Sequence, residues 1–169
     1  MLHKESKARD TKAVVIGRFQ PMHKGHLEAI RRILRKCGRL TIFIGSSQEK
    51  RTKRNPLSAK ERRQMMKFAI GKLAGKVTFI DLQDTFNNAT WTASVLKKAG
   101  KFDALYSNNA LVRSLFRPYC NVHWMKSGIR INSTKIREMI RMGNKRWKEW
   151  VPKEVEYYLK KYHLLKAFE

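Results

Sequence analysis

Apolar positions along the chain fall into short runs separated by stretches of helical spacing. The runs "AVVIGRF" (13–19), "LTIFIG" (40–45), "VTFIDL" (77–82), "FDALYS" (102–107) and "CNVHWM" (120–125) are rich in Val, Ile and aromatic residues and predict five strands. The first two are continuously apolar, as strands covered on both faces tend to be. Between them Leu27, Ile30, Ile33 and Leu34 follow the period of a helix, and Met65, Met66, Ala69, Ile70 and Leu73 do so again further on. Ser58 and Glu61 form a capping box at the start of that second helix, and the Met65–Met66 pair is expected to fill core. After "SGIRINSTKIREMI" (127–140) the pattern is entirely helical. Ser133 or Thr134 is expected to cap one helix, and Pro152 to open the last. Trp147, Trp150, Tyr158 and Tyr162 recur at near-helical intervals, for which packing is the expected reason.

Alternation of strand and helix implies an α/β fold, a Rossmann-like parallel sheet with helices on both faces and a helical C-terminal segment. With 169 residues, no repeat and no Gly/Ser linker, a single domain over 13–169 is expected, preceded by a flexible basic lead-in at 1–12. That lead-in is charged and has no apolar stretch of the signal-peptide kind. No apolar run approaches the ~20 residues of a membrane span, so no membrane partner is expected. Cys37 and Cys120 form no CxxC pair, which points to a reduced, cytoplasmic setting.

Charge changes the picture. The chain has 38 Lys+Arg against 13 Asp+Glu, a net charge of +25. Such a field attracts polyanions, nucleotides or nucleic acid; alone it does not distinguish them from a solvated basic surface.

The chemistry concentrates in "GRFQPMHKGH", residues 17–26, at the turn from the first strand into the first helix. Open α/β sheets bind ligands at this edge, where helix N-termini favour anions. Gly17 and Gly25 permit close approach, Pro21 stiffens the turn, and His23 and His26 share one face of the first helical turn. Zinc sites usually space a helical pair four apart, and no third ligand is near; the P-loop pattern is absent. The residues themselves point to phosphate.

His23-Lys24-Gly25-His26 is the HxGH signature of the nucleotidyltransferase superfamily, and "GRFQPMHKGHLEAI" resembles the archaeal type of nicotinamide-nucleotide adenylyltransferase. "IGSSQ" (44–48), "NPLSAKER" (55–62), "NNATW" (87–91), "YSNNALVRSLF" (106–116) and "INSTKIR" (131–137) follow in the family's order, so the resemblance spans Ala13 to about Pro152. It implies transfer of AMP from ATP to nicotinamide mononucleotide (NMN), giving NAD and pyrophosphate. It implies that Arg18, His23 and His26 act on the phosphates at the reacting centre, with Gly17, Phe19, Gln20 and Gly25 around them. Ser133, Thr134 and Arg137 match the family's second phosphate signature, although Asn132 stands where Ser is usual. Asn108 and Asn109 are expected to meet the adenosine half.

Asp84, Asn88 and Trp91 match the family's nicotinamide segment, with Asn87 where an aromatic is common. Arg51 or Arg54, in the basic loop after strand two, is expected to engage substrate phosphate. A phosphate monoester is already anionic at neutral pH, so positioning and charge neutralisation suffice without a nucleophilic side chain. Carboxylates are scarce around the motif, which suits Mg²⁺ held mainly by the substrate's phosphates and no metal site built from protein ligands. Relatives are commonly homo-oligomers. Two other readings stay open: a nucleotidyltransferase with another phosphorylated acceptor, and a basic nucleic-acid-binding module on the same fold, bound through nonspecific charge.

Overall fold

The computed structural model describes residues 11–169. The expected lead-in therefore lies outside the described residues, apart from Thr11 and Lys12. Lys12 is in fact the first residue of a strand, and its backbone N–H donates to Asp103 Oδ2 at 2.9 Å.

Among the described residues five parallel strands form one sheet: β1 (Lys12–Gly17), β2 (Arg39–Ile44), β3 (Val77–Asp81), β4 (Ala104–Tyr106) and β5 (Asn121–His123), in the order β3-β2-β1-β4-β5. The expected strands are all present. The last two are shorter than their apolar runs at both ends: 102–103, 107, 120 and 124–125 lie outside them. Ala13 pairs with Leu40 on one side and Ala104 on the other, which puts β1 at the centre and its C-terminal end in the middle of the cleft edge.

Among the described residues six α-helices cover the sheet: α1 (Lys24–Lys36), α2 (Ala59–Ile70), α3 (Asn88–Ala99), α4 (Ala110–Phe116), α5 (Ser133–Arg141) and α6 (Lys153–Lys161). Period-two alternation in β1 decides which side each residue serves. Ala13 and Val15 pack with Ile30 and Ile33 of α1, Met65 and Met66 of α2, Ile136 of α5 and Leu159 of α6. Val14 faces the other way, onto Val95 of α3 and Val112 and Phe116 of α4. Both methionines are core, as their spacing suggests. In the C-terminal segment Trp147 and Tyr158 are buried and Trp150 half-buried, in line with packing, while Tyr162 is exposed.

The local signals at helix starts are mostly followed. Ser58 and Glu61 close the expected capping box on α2. Pro152 precedes α6 as its cap. For α5 the cap is Asn132, whose Oδ1 accepts from Lys135 N–H at 2.9 Å, and neither Ser133 nor Thr134 takes that place. Ser133 is instead drawn into a tertiary bond: its hydroxyl donates to Pro21 O at 2.9 Å. That bond joins α5 to the loop after β1.

Candidate active site

The loop from Gly17 to His23 is shaped by backbone constraint. Phe19 adopts φ 53°, a left-handed conformation rare for a bulky side chain. Its ring folds back beneath Gly17, where an added Cβ would lie 2.9 Å from the ring tip. Only glycine fits there. Gly25 is also tight, since a Cβ would meet the His23 ring and Ser127 Oγ at 3.1 Å each. Phe19 is thus a buried wedge beneath the site, edge-on to His26 with ring centroids 4.9 Å apart. Gln20 is buried too, and both ends of its amide go to the backbone of Leu57, at 2.7 and 3.0 Å.

His23 is the N-cap of α1. Its Nδ1 accepts from His26 N–H at 3.2 Å, and His26 Nδ1 accepts from His23 N–H at 3.3 Å. The rings stack with centroids 3.5 Å apart and planes 20° from parallel. An Nδ1 that accepts carries no proton, so each neutral ring holds its proton on Nε2. Burial pushes the His23 pKa down to about 4. Burial, and then the neighbouring His23, hold His26 well below the ordinary imidazole range. At neutral pH the pair is two uncharged Nε2–H donors at a helix N-terminus.

Positive charge comes from arginines. Arg18 and Arg137 both line the cleft. Arg137 donates to Gln20 O at 2.9 Å and to Thr134 Oγ1 at 3.0 Å, so α5 and the first loop hold each other. Burial lowers the Arg18 pKa, Arg54 lowers it further and Asp84 opposes them; Arg137 is lowered by burial, then by Arg18 and Arg141. Two guanidiniums held down by burial and then by neighbouring cations mark a place suited to an anion.

Arg62 was not singled out by its sequence context, "KERRQ", which reads as a solvated helix face. It is completely buried. Its guanidinium donates to Arg18 O at 2.9 Å, Gly45 O at 2.7 Å and Ser46 O at 3.1 Å. Burial lowers its pKa to about 10. It ties the ends of β1 and β2 together from below, at two turns where Phe19 and Ser46 are both left-handed. No local pattern distinguishes Arg62 from Arg63; only the fold does.

Around this centre lies a cleft of about 1560 Å³. Small-molecule pockets typically measure roughly 300–1,000 Å³, so this cleft has room for two nucleotides. Its wall includes Gly17, Arg18, Phe19, Gln20, His23, Gly25 and His26 from the first loop, and Ser133, Thr134 and Arg137 from α5. Asn108 and Asn109 line it as well, but both amides already have structural work. Asn109 Oδ1 caps α4 by accepting from Leu111 N–H at 2.9 Å, and Asn108 Oδ1 accepts from Met125 N–H at 3.1 Å. Asp84 and Trp91 line the cleft, whereas Asn88 is exposed on the first turn of α3, outside the wall. Asn87 caps α3. Arg51 also lies outside: it forms a two-pronged ion pair with Glu61 and donates to Pro56 O at 2.8 Å. From the same loop it is Arg54 that faces the cleft.

A cytidylyltransferase-like family model matches residues 14–139. A nicotinamide-nucleotide adenylyltransferase of Archaeoglobus fulgidus is 35% identical over 158 residues, covering 88% of this chain and 90% of that one. Its counterpart from Thermoplasma volcanium is 37% identical over 154 residues, covering 87% and 84%. The chain belongs to the nicotinamide-nucleotide adenylyltransferase family.

The expectations of family and of a parallel α/β fold hold. Among solved structures, a bifunctional NMN adenylyltransferase/ADP ribose pyrophosphatase from Francisella tularensis, complexed with AMP and a manganese ion, superposes with a TM-score of 0.76 at 22% identity. The match covers 94% of this chain and 51% of that one, so the chain spans about half of that protein's length. At this identity the likeness supports the fold alone. Among the described residues no helix is long and apolar enough to cross a membrane. Nor do three or more His, Cys, Asp or Glu side chains cluster there as a metal site.

Proposed function

We propose that the chain is a nicotinamide-nucleotide adenylyltransferase that transfers AMP from ATP to NMN. The observation that carries this reading is the meeting of two helix N-termini, α1 and α5, across one basic cleft. Two bonds join them: Ser133 Oγ to Pro21 O and Arg137 to Gln20 O. Helix N-termini present unpaired N–H groups and a positive dipole end, and a chain of phosphates bridges two of them naturally.

In the reaction a 5′-phosphate oxygen of the mononucleotide forms a bond to the α-phosphorus of ATP. The bond to the bridging β-oxygen breaks, and its electron pair leaves on pyrophosphate. The attacking oxygen is already ionised, so no base is required. His23 and His26 donate from Nε2–H to the reacting phosphates, beside the Arg18 guanidinium. Their neutrality lets them act as hydrogen-bond donors without losing a proton at pH 7. The α5 N-terminus, with Thr134 and Arg137, holds the β- and γ-phosphates. Such donors act most strongly when fixed before the charge develops, and here both rings are fixed by each other's backbone.

Arg54, facing the cleft, is assigned the mononucleotide phosphate, and Asp84 and Trp91 its nicotinamide end. Mg²⁺ binds readily through phosphates, waters and one or two carboxylates. With Asp84 assigned to the nicotinamide end, Glu49 is the remaining carboxylate of the cleft wall among the described residues, which fits a cation carried in mainly by the polyphosphate. When bound, it neutralises charge on the transferring group. This reading also includes a reduced, cytoplasmic enzyme, consistent with Cys37 and Cys120 both being free. It further includes homo-oligomeric assembly, and no function for nucleic acid beyond attraction to the +25 field.

The deciding experiment combines the purified protein, Mg²⁺ and ATP with nicotinamide mononucleotide or nicotinate mononucleotide, and measures pyrophosphate and dinucleotide together. Stoichiometric formation of both is expected with the nicotinamide substrate. If no acceptor releases pyrophosphate and the protein instead binds RNA with a steep salt slope, the enzyme reading falls.

A further inference from the structure

The cleft wall carries an indole that neither the core nor the phosphate centre explains. Trp124, just after β5, is 55% exposed and lines the cleft. Arg113 of α4 places its guanidinium carbon 3.4 Å from the indole centroid, yet Arg113 takes no part in the cleft wall. The cation thus lies against one face of the ring, while Trp124 itself meets the cleft.

The arrangement is held from every side. Ser107 N–H donates to His123 O at 3.1 Å, and Met125 N–H donates to Asn108 Oδ1 at 3.1 Å, which fixes the residues on both flanks of Trp124. Arg113 Nη1 donates to Ser107 O at 3.0 Å, which fixes the guanidinium. A flat apolar face kept rigid and open in a cleft binds a planar ring with little ordering cost.

We propose that Trp124, backed by Arg113, is the stacking platform for the adenine of ATP and selects a purine triphosphate. This rests on the adenylyltransferase reading, in which the cleft must receive two rings. Their chemistry assigns this one. The nicotinamide ring of the acceptor is a pyridinium cation, and a guanidinium already on the back of the indole repels a second cation across it. Adenine is neutral and larger, so it gains stacking area without that repulsion. The platform also lies on the β4–β5 side of the phosphate centre, opposite the β2–β3 side from which Arg54 and Asp84 enter.

The test is steady-state kinetics on the full-length protein, with both substrates varied, for Trp124→Ala, Trp124→Phe and Arg113→Gln. Trp124→Ala is expected to raise the KM for ATP about tenfold, equivalent to about 1.4 kcal/mol, while the KM for NMN stays within about twofold. Loss of base stacking on an aromatic side chain has effects of this order. Trp124→Phe should recover most of the loss, and Arg113→Gln should raise the KM for ATP a few-fold by loosening the ring. The parent's preference for ATP over CTP should shrink in Trp124→Ala. In parallel, ATP alone should quench tryptophan emission in the parent and much less in Trp124→Phe.

An unchanged KM for ATP in Trp124→Ala, or an equal rise for NMN, overturns the proposal while leaving the adenylyltransferase reading intact. A parent that forms no pyrophosphate overturns that reading instead. In that event, quenching by ATP but not CTP, lost in Trp124→Phe, would still support the platform.

Discussion

His23 and His26 cap the same helix for each other: each Nδ1 accepts the other's backbone N–H, at 3.2 and 3.3 Å, and the rings stack 3.5 Å apart. One geometric device thereby does two things. It satisfies two donors at the start of α1 that would otherwise be orphaned, and it sends both remaining ring N–H groups outward as a fixed pair. Serine with glutamate does the first job on α2. Only a pair of histidines does both.

The pair makes stability depend on pH in a defined direction. In the unfolded chain His23 titrates near the ordinary 6.5, and in the fold near 4. Between these values the unfolded state binds more protons, so stability is full above about pH 6.5 and is lost as pH falls toward 4. The loss attributable to His23 is about 3 kcal/mol. His23→Asn retains a capping oxygen but no titration, so its stability should fall less steeply across the same window. Denaturant midpoints at several pH values measure this, and parallel curves for parent and variant would exclude His23 as the source. The same variant should lower kcat about 10²-fold at neutral pH, because a fixed donor to the transition state is gone.

Arg62 predicts a large structural effect from a residue that touches no substrate. Replacing it with Met leaves the carbonyls of Arg18, Gly45 and Ser46 without their donor. Each buried acceptor left unsatisfied costs ~1–3 kcal/mol, partly offset because the buried charge disappears as well. A net loss of about 3 kcal/mol in urea unfolding is expected, together with reduced kcat, since the Arg18 loop is no longer tied to β2. Arg62→Lys keeps a charge but not the fork and should recover only part of either. A change below about 1 kcal/mol would show that the clamp is not needed.

How far all this could be read in advance differs from element to element. The strands are legible because continuously apolar runs such as "AVVI" and "LTIFI" have no other stable use, and the helices because Ile30, Ile33 and Leu34 repeat at their period. The first loop stands out because glycines, histidines and an arginine gather at a strand-to-helix turn, and its proposed phosphate role rests on the family resemblance as well. The cap of α5 was not, because Asn132, Ser133 and Thr134 all satisfy the local rule and a tertiary bond to Pro21 O decides among them. Arg62 and Trp124 were not, because burial of a charge and exposure of an indole are products of packing. Arg51 and Arg54 differ only by which way a loop turns.

That loop supplies the next test. Arg54→Ala should raise the KM for NMN about tenfold or more, as loss of a charged hydrogen bond to phosphate does. Arg51→Ala should leave both KM values within about twofold. Its ion pair with Glu61 is half exposed, so its removal should cost no more than about 1 kcal/mol of stability. The opposite ranking of the two variants in NMN kinetics would assign the phosphate to Arg51.

Trp91 divides its surface between core and cleft. It lies edge-on to Phe116, with centroids 6.1 Å apart, packs with the α3–α4 side of the core, and still lines the cleft. A stack on the pyridine ring is worth roughly 0.5–1.5 kcal/mol beyond area burial. Trp91→Ala should therefore raise the KM for NMN about tenfold and leave that for ATP within about twofold, alongside a stability loss of about 2 kcal/mol from the lost packing. Trp91→Phe restores most packing and some stacking, and separates the two effects. Asn88 stands outside the wall, so Asn88→Ala should not change the choice between carboxamide and carboxylate acceptors. A loss of discrimination in that variant would bring α3 closer to the ligand than its position here. If Trp91→Ala raises both KM values equally, its indole serves the core alone, and the nicotinamide ring must find its partner elsewhere in the cleft.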